Sequence, residues 1–288
     1  MAKLTDAAVL RLIQFALHED LGSGDVTTEM TVLQETSASA RFLMKQDGVV
    51  CGMPLLSLVF RQFSADVEIV ELVRDGDRVP AGTVLATLEG PAHALLGGER
   101  TALNFLQRMS GVATKTAQYV ERIAGTRAQI LDTRKTIPGW RVLDKYAAQI
   151  GGAVNHRMGL FDMVMIKDNH ITAAGGITAA IQACVQEMMH RAPLAIEVEA
   201  QTLDDVAEIL RSTHVKRVMF DNFTPEMVAQ GVEMVQGVIE TEASGGITFD
   251  TIRAYAETGV DYISTGAITH SATAIDISMK LVVPRTAR

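Results

Sequence analysis

The spacing of apolar positions changes character along the chain. Residues 5–18 carry apolar side chains at helical spacing and predict an amphipathic helix. Between residues 40 and 95 the apolar runs shorten. Turn signals separate them at Gln46-Asp47-Gly48, Arg74-Asp75-Gly76-Asp77 and Glu89-Gly90-Pro91. Residues 67–73 and 83–88 fit strands between such turns. This stretch reads as a small α/β domain led by the helix of residues 5–18.

A helical pattern begins at Glu99, with Leu103, Leu106 and Met109 three apart on one buried stripe. Beyond it, strand-like apolar runs alternate with helical stretches. The runs fall at residues 129–131, 163–166, 195–198, 217–220, 238–241 and 261–264. Their nearly unbroken apolar character predicts parallel strands covered on both faces. Val198, Phe220, Thr241 and Ser264 succeed one another at intervals of 22, 21 and 23 positions, room for one strand, one helix and two loops. Repeated βα units point to an α/β barrel or a doubly wound sheet.

The positions just after each run are chemically rich. Leu131 precedes Asp132-Thr133-Arg134-Lys135, and Ile166 precedes Lys167-Asp168-Asn169-His170. Val198 precedes Glu199, Phe220 precedes Asp221-Asn222, Thr241 precedes Glu242-Ala243-Ser244-Gly245-Gly246, and Ser264 precedes Thr265-Gly266. In a parallel barrel these positions share the rim at the carboxyl ends of the strands, where barrel enzymes place their sites.

Composition narrows the classes. A chain of 288 residues fits one large domain, or a medium domain with a small one. With 48% hydrophobic residues it suits a packed soluble globule. The 26 Lys+Arg against 34 Asp+Glu leave a net charge of −8, opposite to that of a general nucleic-acid binder. Cys51 and Cys184 stand far apart, which disfavours a disulfide scaffold or a cysteine-rich zinc site. The longest apolar stretch, residues 48–60, is interrupted by Gly52, Pro54 and Ser57 and is shorter than the ~20 residues a membrane span needs. The first 18 residues read as a helix rather than a secretion signal. The expectation is a soluble protein of a reducing compartment.

Within this acidic chain, Arg134, Lys135 and Lys167 converge on the expected rim, and Asn155-His156-Arg157 precedes the second strand of the series. Such a set suits a small polyanion, with arginine giving bidentate contacts to carboxylate or phosphate. Glu199 and Asp221 can bind Mg²⁺, accept ribose hydroxyls or stabilise a developing cation. Ser244-Gly245-Gly246 and Thr265-Gly266 let backbone approach a phosphate on the last strands. Lys167 offers a rival chemistry, a Schiff base, if desolvation makes it a free amine. His156 and His170 suit acid–base or hydrogen-bonding roles, and the absence of an HExxH pattern disfavours zinc. The methionines, among them Met163, Met165, Met188 and Met189, read as core filling.

Taken in order, Glu99-Arg100-Thr101-Ala102-Leu103-Asn104, Asp132-Thr133-Arg134-Lys135-Thr136-Ile137-Pro138-Gly139, Asn155-His156-Arg157, Ile166-Lys167-Asp168-Asn169-His170, Glu197-Val198-Glu199 and Glu242-Ala243-Ser244-Gly245-Gly246-Ile247 resemble the quinolinate phosphoribosyltransferase family. His18-Glu19-Asp20-Leu21-Gly22 and Gly24-Asp25-Val26-Thr27 fit it too, so the likeness covers about residues 10–272. The resemblance implies an N-terminal open α/β sandwich over residues 1–99, with residues 271–288 returning to it. It implies an incomplete parallel α/β barrel of six or seven strands over residues 100–270. The expected location is the cytoplasm, and the resemblance implies a homodimer, or a higher even oligomer, in which Arg100 reaches the partner's site. Arg134, Lys135, His156, Arg157 and Lys167 match quinolinate-pocket positions, with Thr133 beside them. Glu199 and Asp221 match carboxylates near the ribose and the metal. Ser244, Gly245, Gly246 and Gly266, with Ser264 and Thr265, match the phosphate loops. Lys135, Lys167, Glu199 and Asp221 are then the catalytic set. The implied reaction joins quinolinate to phosphoribosyl pyrophosphate with Mg²⁺, giving nicotinate mononucleotide, pyrophosphate and CO₂. Gly151-Gly152-Ala153-Val154 and Trp140 depart from the commonest family pattern without removing a charged residue. The nearest rival is a molybdenum-transport-associated branch of the same fold, against which Asn155 weighs.

Overall fold

The computed structural model describes residue 4 and residues 7–282. Twelve strands are found among them. They are β1 (Ser37–Met44), β2 (Gly48–Val49), β3 (Glu68–Glu71), β4 (Arg78–Val79), β5 (Val84–Pro91), β6 (Gln129–Leu131), β7 (Val164–Ile166), β8 (Ile196–Ala200), β9 (Arg217–Asp221), β10 (Glu240–Ser244), β11 (Tyr262–Ser264) and β12 (Ile277–Val282). The chain divides into two compact units. One takes Met1–Ala117, Thr136–Gly152 and Ser271–Arg288, and the other takes Gln118–Lys135 and Ala153–His270.

In the first unit, the helix Ala7–Leu21 buries Val9, Ile13 and Leu17 on one stripe four residues apart. Strand β1 buries every second residue, from Ala38 through Ala40 and Phe42 to Met44, and so covers a core with one face. An antiparallel sheet runs in the order β12-β1-β5-β3. Strand β12, within the segment expected to return to this domain, pairs antiparallel with β1, and residues 283–288 lie outside the described residues. The apolar run of residues 48–60 becomes β2 and the helix Met53–Phe60. Asp75 caps that helix, accepting from the amides of Gly52 and Met53 at 2.9 Å each, while the Tyr146 hydroxyl donates to its other oxygen at 2.8 Å.

These units do not divide at the expected boundary of residues 99 and 100. Most of the helix Ala92–Arg122 belongs to the first unit, and so does the segment Thr136–Gly152. Packing explains both. Phe105 stacks on Trp140 at 4.9 Å, and Arg108 pairs with Asp144 at 3.2 Å. Trp140, one of the departures from the family pattern, thus anchors a segment that the sequence order alone assigns to the barrel.

The second unit holds six parallel strands in the order β6-β11-β10-β9-β8-β7. Each strand from β7 to β11 neighbours the next in sequence, and β6 pairs with β11. This cyclic order is that of a barrel, whereas a doubly wound sheet reverses direction at a switch point. Among the described residues β6 and β7 do not pair, so the barrel is incomplete. The sequence expectation placed Glu199, Asp221 and Glu242 after their strands; β8, β9 and β10 run on to include them.

Candidate active site

Register fixes which side chains face the barrel interior. Glu197 stands beside Arg217, Glu242 beside Met219 and Tyr262, and Ser244 beside Asp221. Side chains alternate along a strand, so Glu197 and Glu199 share a face, as do Met219 and Asp221, and Glu242 and Ser244. The intervening Ile196, Val198, Val218, Phe220 and Ala243 form the opposite, apolar face and are buried. Barrel interiors are ordinarily filled by bulky branched apolar side chains. Here carboxylates and an arginine occupy part of that volume.

At the carboxyl ends of these strands lies a cavity of about 480 Å³. Of the expected site residues, Thr133, Arg134, Lys135, His156, Arg157, Lys167, Asp221, Ser244, Gly245, Gly246 and Ser264 line it. Met165, Met219, Asn222 and Glu242 line it as well and were not among the expected site residues. The other expected residues lie behind the lining or elsewhere. Glu199 pairs with the Lys167 ammonium at 3.1 Å. Gly266 lies against the Lys135 stem, where a Cβ would fall 2.7 Å from the lysine Cδ. Thr265 is buried and its hydroxyl accepts from the amide of Ala267 at 3.2 Å. Arg100 belongs to the first unit, on the helix Ala92–Arg122, and is exposed. A second hollow of about 410 Å³ lies at Thr178, Gln182, Gln186 and His214 and contains none of the expected residues.

Charge is concentrated in the larger cavity. Burial, and then the nearby Arg134, lower the proton affinity of the Arg157 guanidinium, while Glu197 and Asp162 oppose the fall. Burial also raises the Glu199 carboxyl; Lys167 opposes the rise and Asp221 adds to it. Two carboxylates close enough to disturb each other form a hard oxygen donor pair, which fits a divalent cation such as Mg²⁺. Lys167 faces Glu199 rather than an apolar wall, and its side chain is 42% exposed. The desolvation that a Schiff-base amine requires is therefore lacking.

At the cavity wall, which His156 and Glu242 line, a buried group of three meets inside the barrel. His156 Nε2 lies 3.0 Å from Glu197 and 3.4 Å from Glu242. This set has the composition of a metal site. The other ring nitrogen decides against it, because His156 Nδ1 accepts the amide of Arg157 at 2.7 Å. A metal-bound histidine donates its second ring N–H instead of accepting there. Two influences conflict over the ring's charge. Burial opposes a second proton, and Glu197 and Glu242 outweigh it, pushing the imidazole up to about 9. That proton would have to sit on Nδ1, where the Arg157 amide already points, so the bond fixes a neutral ring protonated on Nε2. Burial first and Glu242 second also push the Glu197 carboxyl up to about 7.

The loops are shaped by specific contacts. Gly245 has φ +90, and a Cβ there would meet the Asn222 side-chain oxygen at 2.3 Å and its amide nitrogen at 2.9 Å. Gly246 has φ +63 and open space around it. The next helix begins only at Ile252, so these glycines form a turn and not a helix start. Gly266 directly precedes the short helix Ala267–His270. His170 caps its own helix by accepting the Lys167 amide at 3.0 Å. Asn155 donates to Asp132 at 2.7 Å, holding the segment that carries His156 and Arg157.

A missed signal was present in the sequence. Glu197-Val198-Glu199 and Glu240-Thr241-Glu242-Ala243-Ser244 alternate polar residues inside strands whose other face must bury apolar groups. In a barrel that places carboxylates in the interior, but the sequence order alone does not say which strands they meet.

An incomplete α/β barrel with cations, paired carboxylates and a glycine turn at one mouth defines a class: barrel enzymes acting on small phosphate-bearing anions. Comparison with known proteins specifies it. The sequence profile of the quinolinate phosphoribosyl transferase N-terminal domain matches residues 25–110, and that of its C-terminal domain matches residues 112–280. A Nicotiana tabacum protein named quinolinate phosphoribosyltransferase [decarboxylating] 1b is 43% identical over 94% of this chain and 81% of its own length. A Synechocystis protein named probable nicotinate-nucleotide pyrophosphorylase [carboxylating] is 44% identical over 94% of this chain and 91% of its own. The crystal structure of NadC from Streptococcus pyogenes has a TM-score of 0.93 at 36% identity, covering 98% of this chain and 99% of that one. The chain belongs to the quinolinate phosphoribosyltransferase family.

Proposed function

We propose that this protein transfers phosphoribosyl from phosphoribosyl pyrophosphate to quinolinate in NAD biosynthesis, releasing pyrophosphate and CO₂ and leaving nicotinate mononucleotide. The single observation that carries this reading is the gathering of Arg134, Lys135, Arg157 and Lys167 around one cavity that also holds Asp221 and the Ser244–Gly246 turn. Quinolinate is an aromatic dianion, and a group of cations around one cavity suits such a charge. Arg134 and Arg157 take carboxylates through bidentate N–H pairs. Lys135 and Lys167 supply point charges that orient the ring nitrogen toward the anomeric carbon. Positioning of this kind contributes roughly 7–11 kcal/mol toward lowering a bimolecular barrier.

As the bond to pyrophosphate breaks, positive charge develops on the ribosyl ring, which Asp221 and Glu199 would stabilise as carboxylates. The turn at Ser244, Gly245 and Gly246 presents backbone to the 5′-phosphate. Glu199 and Asp221 would hold Mg²⁺, which would supply charge neutralisation for the departing pyrophosphate. Attack by the ring nitrogen makes it cationic. The neighbouring carboxylate then leaves as CO₂, its electron pair remains on the ring carbon beside that nitrogen, and a proton replaces it. The second carboxylate sits on a ring carbon not bonded to that nitrogen, where an electron pair would not be stabilised, so only one CO₂ is lost.

The working form is proposed to be a homodimer, or a higher even oligomer, in which the exposed Arg100 completes the partner's site. Mixed Arg100→Ala and Lys135→Ala subunits should regain activity, since one hybrid site has both groups; absence of recovery after proven exchange refutes sharing. A cytoplasmic location is proposed with it, supported by the two free cysteines. No helix among the described residues is long and apolar enough to cross a membrane. The deciding experiment measures nicotinate mononucleotide formed from quinolinate, with nicotinate as control substrate. Product from quinolinate alone supports the reading. Borohydride trapping of substrate on Lys167, without pyrophosphate release, overturns it.

A further inference from the structure

His156 lines the cavity, yet both its ring nitrogens face groups of the protein. Nδ1 accepts the Arg157 amide at 2.7 Å, and Nε2 faces the carboxylates of Glu197 and Glu242 at 3.0 and 3.4 Å. The backbone of His156 is committed too, its amide donating to Asp132 at 2.8 Å. All three side chains of the group are buried, at 4%, 1% and 0% exposure for His156, Glu197 and Glu242. Glu242 is itself fixed from behind. Arg217 Nη1 donates to it at 3.0 Å, while the same guanidinium donates to Glu240 at 2.8 Å and lies 4.2 Å from the Tyr262 ring.

From this geometry we infer that Glu197 and Glu242 are positioning residues for Arg157, acting through His156. By keeping the ring proton on Nε2 they leave Nδ1 as an acceptor, and that acceptor fixes the backbone from which the Arg157 guanidinium reaches the cavity. The guanidinium is steadied at its far end by donation to the Met163 carbonyl at 3.3 Å. The chain of contacts therefore runs from Arg217 through Glu242 and His156 to Arg157, from the barrel interior to the mouth. The inference rests on the reading that Arg157 binds a substrate carboxylate. It removes His156 from direct substrate contact and gives the buried carboxylates a purpose that stability does not supply, since a buried ionic group is often no more stabilising than apolar packing.

Two variants separate this role from a direct one. In His156→Asn the side-chain oxygen can still accept the Arg157 amide; in His156→Ala nothing can. The purified full-length enzyme is assayed with quinolinate and phosphoribosyl pyrophosphate varied in turn. His156→Ala and Glu242→Gln are expected to raise the quinolinate KM about tenfold or more, given that a misplacement of about 1 Å can cost about 10²-fold. The KM for phosphoribosyl pyrophosphate should stay within about twofold in both, and His156→Asn should recover most of the quinolinate affinity. Equal losses in His156→Asn and His156→Ala, or equal rises in both KM values, overturn the inference. A readout that does not depend on activity is ¹⁵N NMR of the histidine rings in the wild-type protein. An unprotonated Nδ1 with a protonated Nε2 on His156 supports the clamp, and the opposite tautomer overturns it even if quinolinate is the substrate. If the wild type does not turn over quinolinate, the proposed reaction fails, and the ring tautomer still decides whether the clamp exists.

Discussion

Gly266→Ala tests the geometry of the cavity at one methyl group. Gly266 has no need of a positive φ, so alanine fits its backbone without strain. The added Cβ would stand 2.7 Å from Lys135 Cδ, 2.9 Å from His270 Cδ2 and 3.2 Å from His270 Nε2. Carbon atoms rest at about 3.5–4.0 Å, so the lysine stem must retreat by about 1 Å. His270 is exposed and can swing into solvent. Lys135 cannot move without carrying its ammonium, because its backbone carbonyl is held by the Thr269 hydroxyl at 2.8 Å. A shift of about 1 Å in a positioning group costs about 10²-fold in rate, or about 2.7 kcal/mol. Stability should change little, because Gly→Ala at a compatible φ stabilises by about 0.4–1 kcal/mol through the unfolded state. The assay is kcat/KM for quinolinate, with urea unfolding alongside. In a Lys135→Ala background the second substitution should add nothing, since the group it displaces is gone. A kcat/KM within about threefold of wild type, or an equal loss in the Lys135→Ala background, refutes the reasoning.

Three more outcomes are expected. Gly245→Ala should raise the KM for phosphoribosyl pyrophosphate well above that of Gly246→Ala, because both have a positive φ but only the former drives a Cβ into Asn222; saturation kinetics compare them. Arg108→Met should destabilise the protein by about 3–5 kcal/mol in denaturant unfolding, since it strands the buried Asp144. Burial raises the Asp144 carboxyl even with Arg108 opposing, so the rise grows in the variant. A carboxyl raised in the folded state loses stability as pH climbs from its unfolded to its folded value, so the penalty should be smaller near pH 5 than at neutrality. Asp221→Asn should increase the Mg²⁺ needed for half-maximal activity by about tenfold, equivalent to about 1.4 kcal/mol, in a metal titration after chelation.

Much of this protein was legible in its residues. The 21- to 23-residue recurrence of apolar runs predicted parallel βα units, and β6, β7 and β11 fall within a residue of the expected runs. Many of the polar residues expected at strand ends, among them Arg134, Lys135, Lys167, Asp221 and Ser244, line one cavity because parallel strands end on the same rim. The boundaries were less legible. Trp140 and Asp144 hold the segment after Lys135 in the first unit through Phe105 and Arg108, contacts across more than thirty positions that no local pattern encodes.

The residues alone determined the secondary elements, the acidic charge and the set of cations and carboxylates available for chemistry, because periodicity and side-chain type are local properties. Only tertiary structure decided that the strand order is cyclic, that Glu197 and Glu242 meet over His156, and that the histidine's accepting nitrogen is taken by Arg157. Those outcomes depend on strand register. Register sets which distant side chains share one interior, and burial there makes each hydrogen bond exclusive.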